Sequence, residues 1–280
     1  MSDKLYESFR NTGEALVEVQ TKAREASTKG DSRRSFLEKT MLLGGATALG
    51  TSAATILGAT SAGAATSSSG FTCDCTAHEI ISLADTAENL AVVFYYNVLN
   101  LPTNLPDVND TNHRNYFQAA LTHEYLHKEF LESQGAKALA SSFFFPQGMF
   151  SNQNVFFNTV LALEHQFIGA YIQSIREFSG VVSSNIRKPD PFSMGAAAQI
   201  MGVECEHRAL IRDVANLTPP DNLAFEPVPE TCVKDVMATL KPFLQGGSGF
   251  VGPFSLPSKG EVNQRATPFG FGFFPPVKIV

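Results

Sequence analysis

Four glutamates recur through the chain at nearly even spacing. Glu88, Glu124, Glu164 and Glu204 are separated by 36, 40 and 40 residues. Two of them carry a histidine three positions on, in Glu124-Tyr125-Leu126-His127 and Glu204-Cys205-Glu206-His207. In a helix, i and i+3 lie about 60° apart on one face, one turn along. A Glu and a His so placed can ligate one ion together. An ionised carboxylate within an apolar stripe is unfavourable unless it is paired or bound to metal. Four carboxylates near one level repel one another, so positive charge is expected between them. The two Glu-x-x-His pairs plus Glu88 and Glu164 supply four carboxylates and two imidazoles, a ligand set for two ions. Mixed oxygen and nitrogen donors suit iron or manganese, and the absence of thiolates leaves no preference for a softer metal. Structural zinc prefers four-ligand Cys/His closure and fits this set least.

These residues need elements to hold them. Four segments show apolar residues at helical period: about Thr76 to Asn100, Thr111 to Gln134, Asn152 to Phe178 and Pro191 to Asn216. Each contains one of the four glutamates within its apolar stripe. Leu101-Pro102 and the stretch to Asp110 end the first, Gly135 the second, Gly180 the third and Leu217-Thr218-Pro219-Pro220 the fourth. Alternating β patterns are absent from these segments. The expectation is an all-α four-helix bundle over residues 76–216, with a long connection between its second and third helices. Extended, that connection of about 15 residues spans roughly 50 Å, enough to cross the bundle end to end. Residues 217–280 form a C-terminal extension: one short helix over about 230–245, broken at Pro242, and then an irregular Phe/Gly/Pro-rich tail that wraps the bundle or meets a second copy.

The chain has 280 residues, 44% of them hydrophobic and 17% charged, so it can bury a full core. Its net charge of −6, with no basic block, argues against nucleic acid as a partner. Four cysteines without CxxC spacing build neither a disulfide scaffold nor a paired-thiolate zinc site.

The first 64 residues are read as a leader and residues 65–75 as a short linker. Arg33-Arg34 precede an uncharged stretch from Met41 to Ala65 that is long but only weakly apolar. Ala62-Gly63-Ala64 offers small residues for cleavage near Ala64/Ala65. This arrangement resembles a twin-arginine export signal. The resemblance implies passage through the twin-arginine export machinery, a periplasmic or extracellular location, and no stable membrane anchor after cleavage. In such an oxidising place Cys73 or Cys75 could bridge to Cys232, with unpaired thiols the alternative.

The bundle segments resemble the ferritin-like superfamily. Within it they are most similar to twin-arginine-exported ferritin-like domain proteins of the desiccation-related type. The resemblance covers about residues 76–216. It implies a metal set of Glu88, Glu124, His127, Glu164, Glu204 and His207, binding two iron or manganese ions and supporting O₂ or peroxide chemistry in oxidative-stress protection. The activity would be ferroxidase-like or catalase-like. The alternative is a non-enzymatic, stress-related metal-binding protein that self-associates through its tail. No catalytic residue is assigned. Storage in a 24-subunit shell is not supported, because helix lengths and loops differ from those of iron-storage ferritin.

Several neighbours have two readings. Asp85, one turn before Glu88, could accept the outer N–H of a ligating histidine or could simply be a hydrogen-bonded helix residue. His123 and His165 adjoin ligand glutamates but sit about 100° around the helix, which favours packing or surface roles. Glu206 faces away by the same geometry. Tyr95 and Tyr171, two turns after Glu88 and Glu164, are read as core, with a redox role as the alternative. Cys205 is read as a small packing residue.

Overall fold

The computed structural model describes residues 73–100, 105–228, 230–266 and Gly270. The proposed leader, its twin arginines, most of the linker, Leu101-Pro102 and the final Phe-rich run from Thr267 lie outside the described residues. Four long helices match the expected segments to within two residues at every end: α1 (Ala77–Asn100), α3 (Thr111–Ser133), α4 (Gln153–Phe178) and α5 (Pro191–Val214). A one-turn helix, α2 (Pro106–Asn109), interrupts the loop before α3. At 1.5 Å per residue the long helices run roughly 35–39 Å.

Their ends follow from local chemistry. Thr76 and Glu79 form a reciprocal capping box at the start of α1, with Thr76 N donating to Glu79 Oε2 at 2.7 Å. Asp110, Asn152 and Asp190 cap α3, α4 and α5 by accepting from backbone N–H groups of the first turn. Pro191 occupies the first position of α5, where its missing N–H is not needed. After α3, Gly135 takes φ 93°, and Ala136 N donates back to Leu131 O at 3.0 Å. This left-handed close satisfies carbonyls that the helix end leaves free. Asn216 does the same after α5 at φ 57°.

α1 packs along α3 and α4 along α5, and the two pairs join through α1 against α4 and α3 against α5. The connection from Gln134 to Asn152 runs in part against α1. Leu139 N donates to Thr86 Oγ1 and Lys137 N to Ser82 Oγ, which ties this segment to the first helix.

This connection and the C-terminal extension are more ordered than the sequence suggests. β1 (Ser142–Pro146) pairs antiparallel with β2 (Phe250–Ser255), with Phe143 opposite Phe254 and Phe145 opposite Val251 across a bulge. The partners are about a hundred residues apart, so neither run carries a local alternating signal strong enough to identify it. Gly252 enables the pairing: its φ is 137°, and a Cβ there would lie 2.8 Å from the Phe143 carbonyl oxygen. A 3₁₀ turn (Val233–Val236) leads into α6 (Met237–Gln245), and α7 (Lys259–Arg265) follows β2. Beyond residue 245 the tail is therefore not wholly irregular, since β2 and α7 order it as far as residue 266, and α6 is not broken at Pro242. Buried Leu240 and Phe243 hold α6 against the rest of the molecule and outweigh the one hydrogen bond Pro242 removes. Phe145 is the hub of an aromatic cluster, with ring centroids 5.2 Å from Phe150, 5.6 Å from Phe254 and 6.1 Å from Phe243.

Cys73 and Cys232 form a disulfide that ties the segment before α1 to the 3₁₀ turn. Cys75 is a buried free thiol, and burial pushes its pKa up to about 11. Among the described residues no helix is long and apolar enough to cross a membrane.

Candidate metal centre

The four glutamates and two histidines meet at mid-bundle, one set of side chains from each long helix. All six are buried. They form two overlapping groups, each with ligand atoms mutually within 4.8 Å: Glu88, Glu124, His127 and Glu204, and Glu124, Glu164, Glu204 and His207. Glu124 and Glu204 belong to both. Glu124 and Glu204 thus stand between the two groups, while Glu88 with His127 and Glu164 with His207 lie on opposite sides.

Contacts across the centre also fix helix direction. The Tyr95 hydroxyl donates to Glu164 Oε1 at 2.5 Å, and the Tyr171 hydroxyl donates to Glu88 Oε1. Each tyrosine lies two turns beyond the glutamate of its own helix, so α1 and α4 run antiparallel. His127 reaches Glu88, with Nδ1 3.3 Å from Oε2, whereas the ring of His207 lies 5.8 Å from that of Tyr95. The Glu-to-His step on α3 therefore runs toward the Glu88 end and that on α5 toward the Glu164 end. α3 and α4 run the same way, and their connection must travel the length of the bundle. The crossover that the sequence permits is present.

The donor atoms converge as ligands would. His127 Nδ1 lies 3.3 to 3.6 Å from carboxylate oxygens of Glu88, Glu204 and Glu124. His207 Nδ1 lies 2.9 Å from Glu124 Oε1 and 3.3 Å from Glu204 Oε2. Yet each Nδ1 carries at most one hydrogen for the several oxygens around it, and Oε2 of Glu164 is buried without a hydrogen-bond partner. Buried acceptors left without donors around a common point are unfavourable unless a cation satisfies them. The residues fit a metal.

Electrostatics divides the carboxylates by position. Burial, followed by the neighbouring Glu124, holds the Glu88 pKa well above the usual range; burial and Glu204 do the same for Glu164. Burial would also raise Glu124, but His207 and His127 overcome it and pull that pKa down. Glu204 is lowered too: burial and Glu124 push it up, and hydrogen bonds from both histidines outweigh them. Burial disfavours the charged form of each histidine, but the carboxylates raise both pKa values well above 6.5, Glu88 foremost for His127 and Glu124 for His207. In the metal-free site the surroundings thus favour the protonated form of Glu88, Glu164 and both histidines and the ionised form of Glu124 and Glu204.

Residues around the six sort differently from expectation. Tyr95 and Tyr171 are buried as core, but each hydroxyl also holds a terminal glutamate. Asp85 makes no bond to a histidine; its oxygens are buried without partners, and burial pushes its pKa up to about 6. His123 departs most from its packing or surface reading. Its Nδ1 lies 3.2 Å from His207 Nε2 across the α3–α5 contact. The 100° offset does turn His123 away from the cluster centre, but toward His207 on the next helix. Its adjacency to Glu124 was the available signal, and only helix packing interprets it. Burial and His207 lower its pKa to about 4, so it stays neutral. His165 lies outside both groups, 3.9 Å from Glu226. Cys205 is half-buried, and Glu206 is exposed.

Two narrow clefts approach the centre. One, between α3 and α5, is walled by Phe117, Ala120, Leu210 and Ile211 and reaches Tyr95 and His207. The other, between α1 and α4 beside the 3₁₀ turn, is lined by Leu83, Ala87, Phe167 and Ala170 and reaches Tyr171. Each has room for about one water-sized molecule.

Residues 76–217 match a family model described as a ferritin-like domain, a span that includes all four long helices and all six clustered residues. No curated protein and no solved structure matches the chain.

Proposed function

From the premise that the chain belongs to the ferritin-like domain family, we propose that its six clustered residues hold two iron or manganese ions and that the protein uses them on O₂ or peroxide. The observation that carries this reading is the pair of overlapping groups sharing Glu124 and Glu204, with more buried carboxyl oxygens than the two histidine Nδ1 atoms can satisfy. In it, Glu88 and His127 would hold one ion, Glu164 and His207 would hold the other, and Glu124 and Glu204, common to both groups, would serve both. Two adjacent redox metals would supply the two electrons that peroxide chemistry exchanges.

The chain's own residues have separate roles. Glu124 and Glu204, held ionised, present charge to the cations from the outset. Burial favours the protonated form of Glu88 and Glu164, which a bound cation would reverse. Cations bound by deprotonated ligands would displace protons from these groups, so loading should release protons. Tyr95 and Tyr171 orient the terminal carboxylates. The apolar walls of the clefts favour small uncharged molecules over hydrated ions, because an ion would have to shed its water to pass. This supports O₂ or hydrogen peroxide as the reacting partner.

The twin-arginine reading and the Cys73–Cys232 disulfide together support export to an oxidising compartment. There the activity would protect the envelope against oxidants.

The test is elemental analysis of the protein purified from its own source, beside a Glu124→Ala/Glu204→Ala variant. The expected result is about two iron or manganese ions per chain in the wild type and none in the variant. Iron directs the next assay to Fe(II) oxidation by O₂, and manganese to peroxide dismutation. A wild type as empty as the variant overturns the reading.

A further inference from the structure

The two proposed metal positions have the same ligand types, but their surroundings differ in one respect. His207 is 2% exposed and His127 8%. Both turn Nδ1 toward the carboxylates. Beyond His207, the outer nitrogen Nε2 lies 3.2 Å from His123 Nδ1, with the ring planes 13° apart and centroids 5.5 Å apart. That separation is what two imidazoles joined edge to edge through one N–H···N bond require. Beyond His127, no hydrogen bond is made by Nε2 among the described residues, and Asp85 does not reach it.

The chemistry makes this difference directional. A neutral imidazole has one N–H. When the Nδ1 lone pair of His207 faces a cation, its proton must sit on Nε2, and the neighbour must accept it. His123 then presents its Nδ1 lone pair and keeps its own proton on Nε2. An outer partner of this kind selects the tautomer of the ligand and fixes its ring plane, usually through a carboxylate, carbonyl or water. A neutral histidine does so without adding negative charge beside a site that already holds four carboxyl groups.

Resting on the two-ion reading above, we propose that His123 is a positioning residue for His207, and that the ion at the His207/Glu164 position is consequently bound more tightly than the one at the His127/Glu88 position. The first ion then enters at the Glu164 end of the bundle. The two positions fill in sequence, even though their first ligands are related by near-symmetry.

The experiment is calorimetric titration of Mn(II) into metal-free full-length protein. The expected wild-type isotherm has two resolved steps. Glu164→Gln removes the tighter step and Glu88→Gln the weaker one, which assigns them. His123→Leu, which keeps bulk but removes the acceptor, weakens the tighter step about 10- to 100-fold and leaves the weaker one unchanged. His123→Asn, whose Oδ1 takes roughly the place of Nδ1, restores most of the lost affinity. Thermal melts of the metal-free variants check that the fold is intact. Two ions bound with wild-type affinities in His123→Leu overturn this inference and leave the two-ion reading standing. Equal loss in the Leu and Asn variants reduces His123 to packing and also overturns it. A wild type that binds no Mn(II) overturns this inference, and elemental analysis of the protein from its own source then decides the broader reading separately.

Discussion

The middle of the bundle and the aromatic clasp beside it are buried to similar degrees by opposite means. At mid-bundle, Glu88, Glu124, Glu164, Glu204, His127 and His207 bring six buried ionisable groups together around few donors. In the clasp, Phe143, Phe145, Phe243 and their neighbours fill the space between β1, β2 and α6 with rings in edge contacts. The clasp gains free energy from apolar burial and ring geometry. The centre loses it, because desolvating charge is unfavourable even when partners are present. The clasp fastens the crossover and the C-terminal extension to each other. The stability it contributes allows the fold to keep a polar centre suited to metal. Function and stability therefore lie in different parts of one molecule.

The largest effect that separates them is a large-to-small change in the clasp. Phe145→Ala is expected to destabilise the protein by about 3–5 kcal/mol, seen as a lower denaturation midpoint, while metal bound per folded chain stays at the wild-type value. A shared fall in midpoint and metal content would show that the two regions are one cooperative unit.

The second effect is pH dependence of the metal-free protein. His127 and His207 have raised pKa values when folded. Their contribution is fully present below about pH 6.5 and is lost as pH rises through the folded values. Glu88 and Glu164 are also raised. Above about pH 4.5 the unfolded chain releases these protons while the folded one retains them, so folding becomes progressively less favourable. Glu124 and Glu204, with lowered values, act in the opposite sense: their contribution is present above about pH 4.5 and falls away in acid. The metal-free melting temperature should peak at mildly acidic pH and decline toward pH 9, each group crossing its window contributing about 1.4 kcal/mol per pH unit. The metal-loaded protein should lack this decline. Parallel profiles for the two forms would break the comparison.

A third change inverts the usual sign of a core substitution. In metal-free protein, Glu124→Leu/His207→Leu replaces a buried ion pair with apolar side chains and is expected to be neutral or stabilising by about 1–4 kcal/mol, with metal binding lost. Chemical denaturation with and without Mn(II) reads both. A destabilised double variant would mean that the centre contributes to the fold as well as to the site.

The smallest effect is at the tyrosines. Tyr95→Phe and Tyr171→Phe each remove one hydroxyl donor to a terminal glutamate and should each lower stability by about 1–2 kcal/mol. Full metal content should persist, since neither is among the six. Loss of an ion in either variant would move that tyrosine from orienting a ligand to holding the site together.

The helices were legible because their signals are local. Asp110, Asn152 and Asp190 cap within a turn, Gly135 closes within a turn, and apolar period needs only one segment to be seen. The buried cluster was legible for the same reason, since Glu-x-x-His places two side chains on one helix face by helix geometry alone. The clasp was not, because Phe143 and Phe254 become neighbours only through the fold, and Phe-rich runs flanked by Gly and Pro look irregular one at a time. His123 was hidden in the same way: its offset from Glu124 is a property of α3, but its partner is on α5.

By itself the sequence determined four helices, their caps and the six residues carried on their inner faces, because those follow from backbone geometry over a few residues. Tertiary structure alone decided that Glu124 and Glu204 are shared, that α3 and α4 run in the same direction, that Cys73 rather than Cys75 bonds Cys232, and that His123 stands behind His207. Each of these depends on which surfaces meet across long stretches of chain, and that is settled by the packing of the whole core.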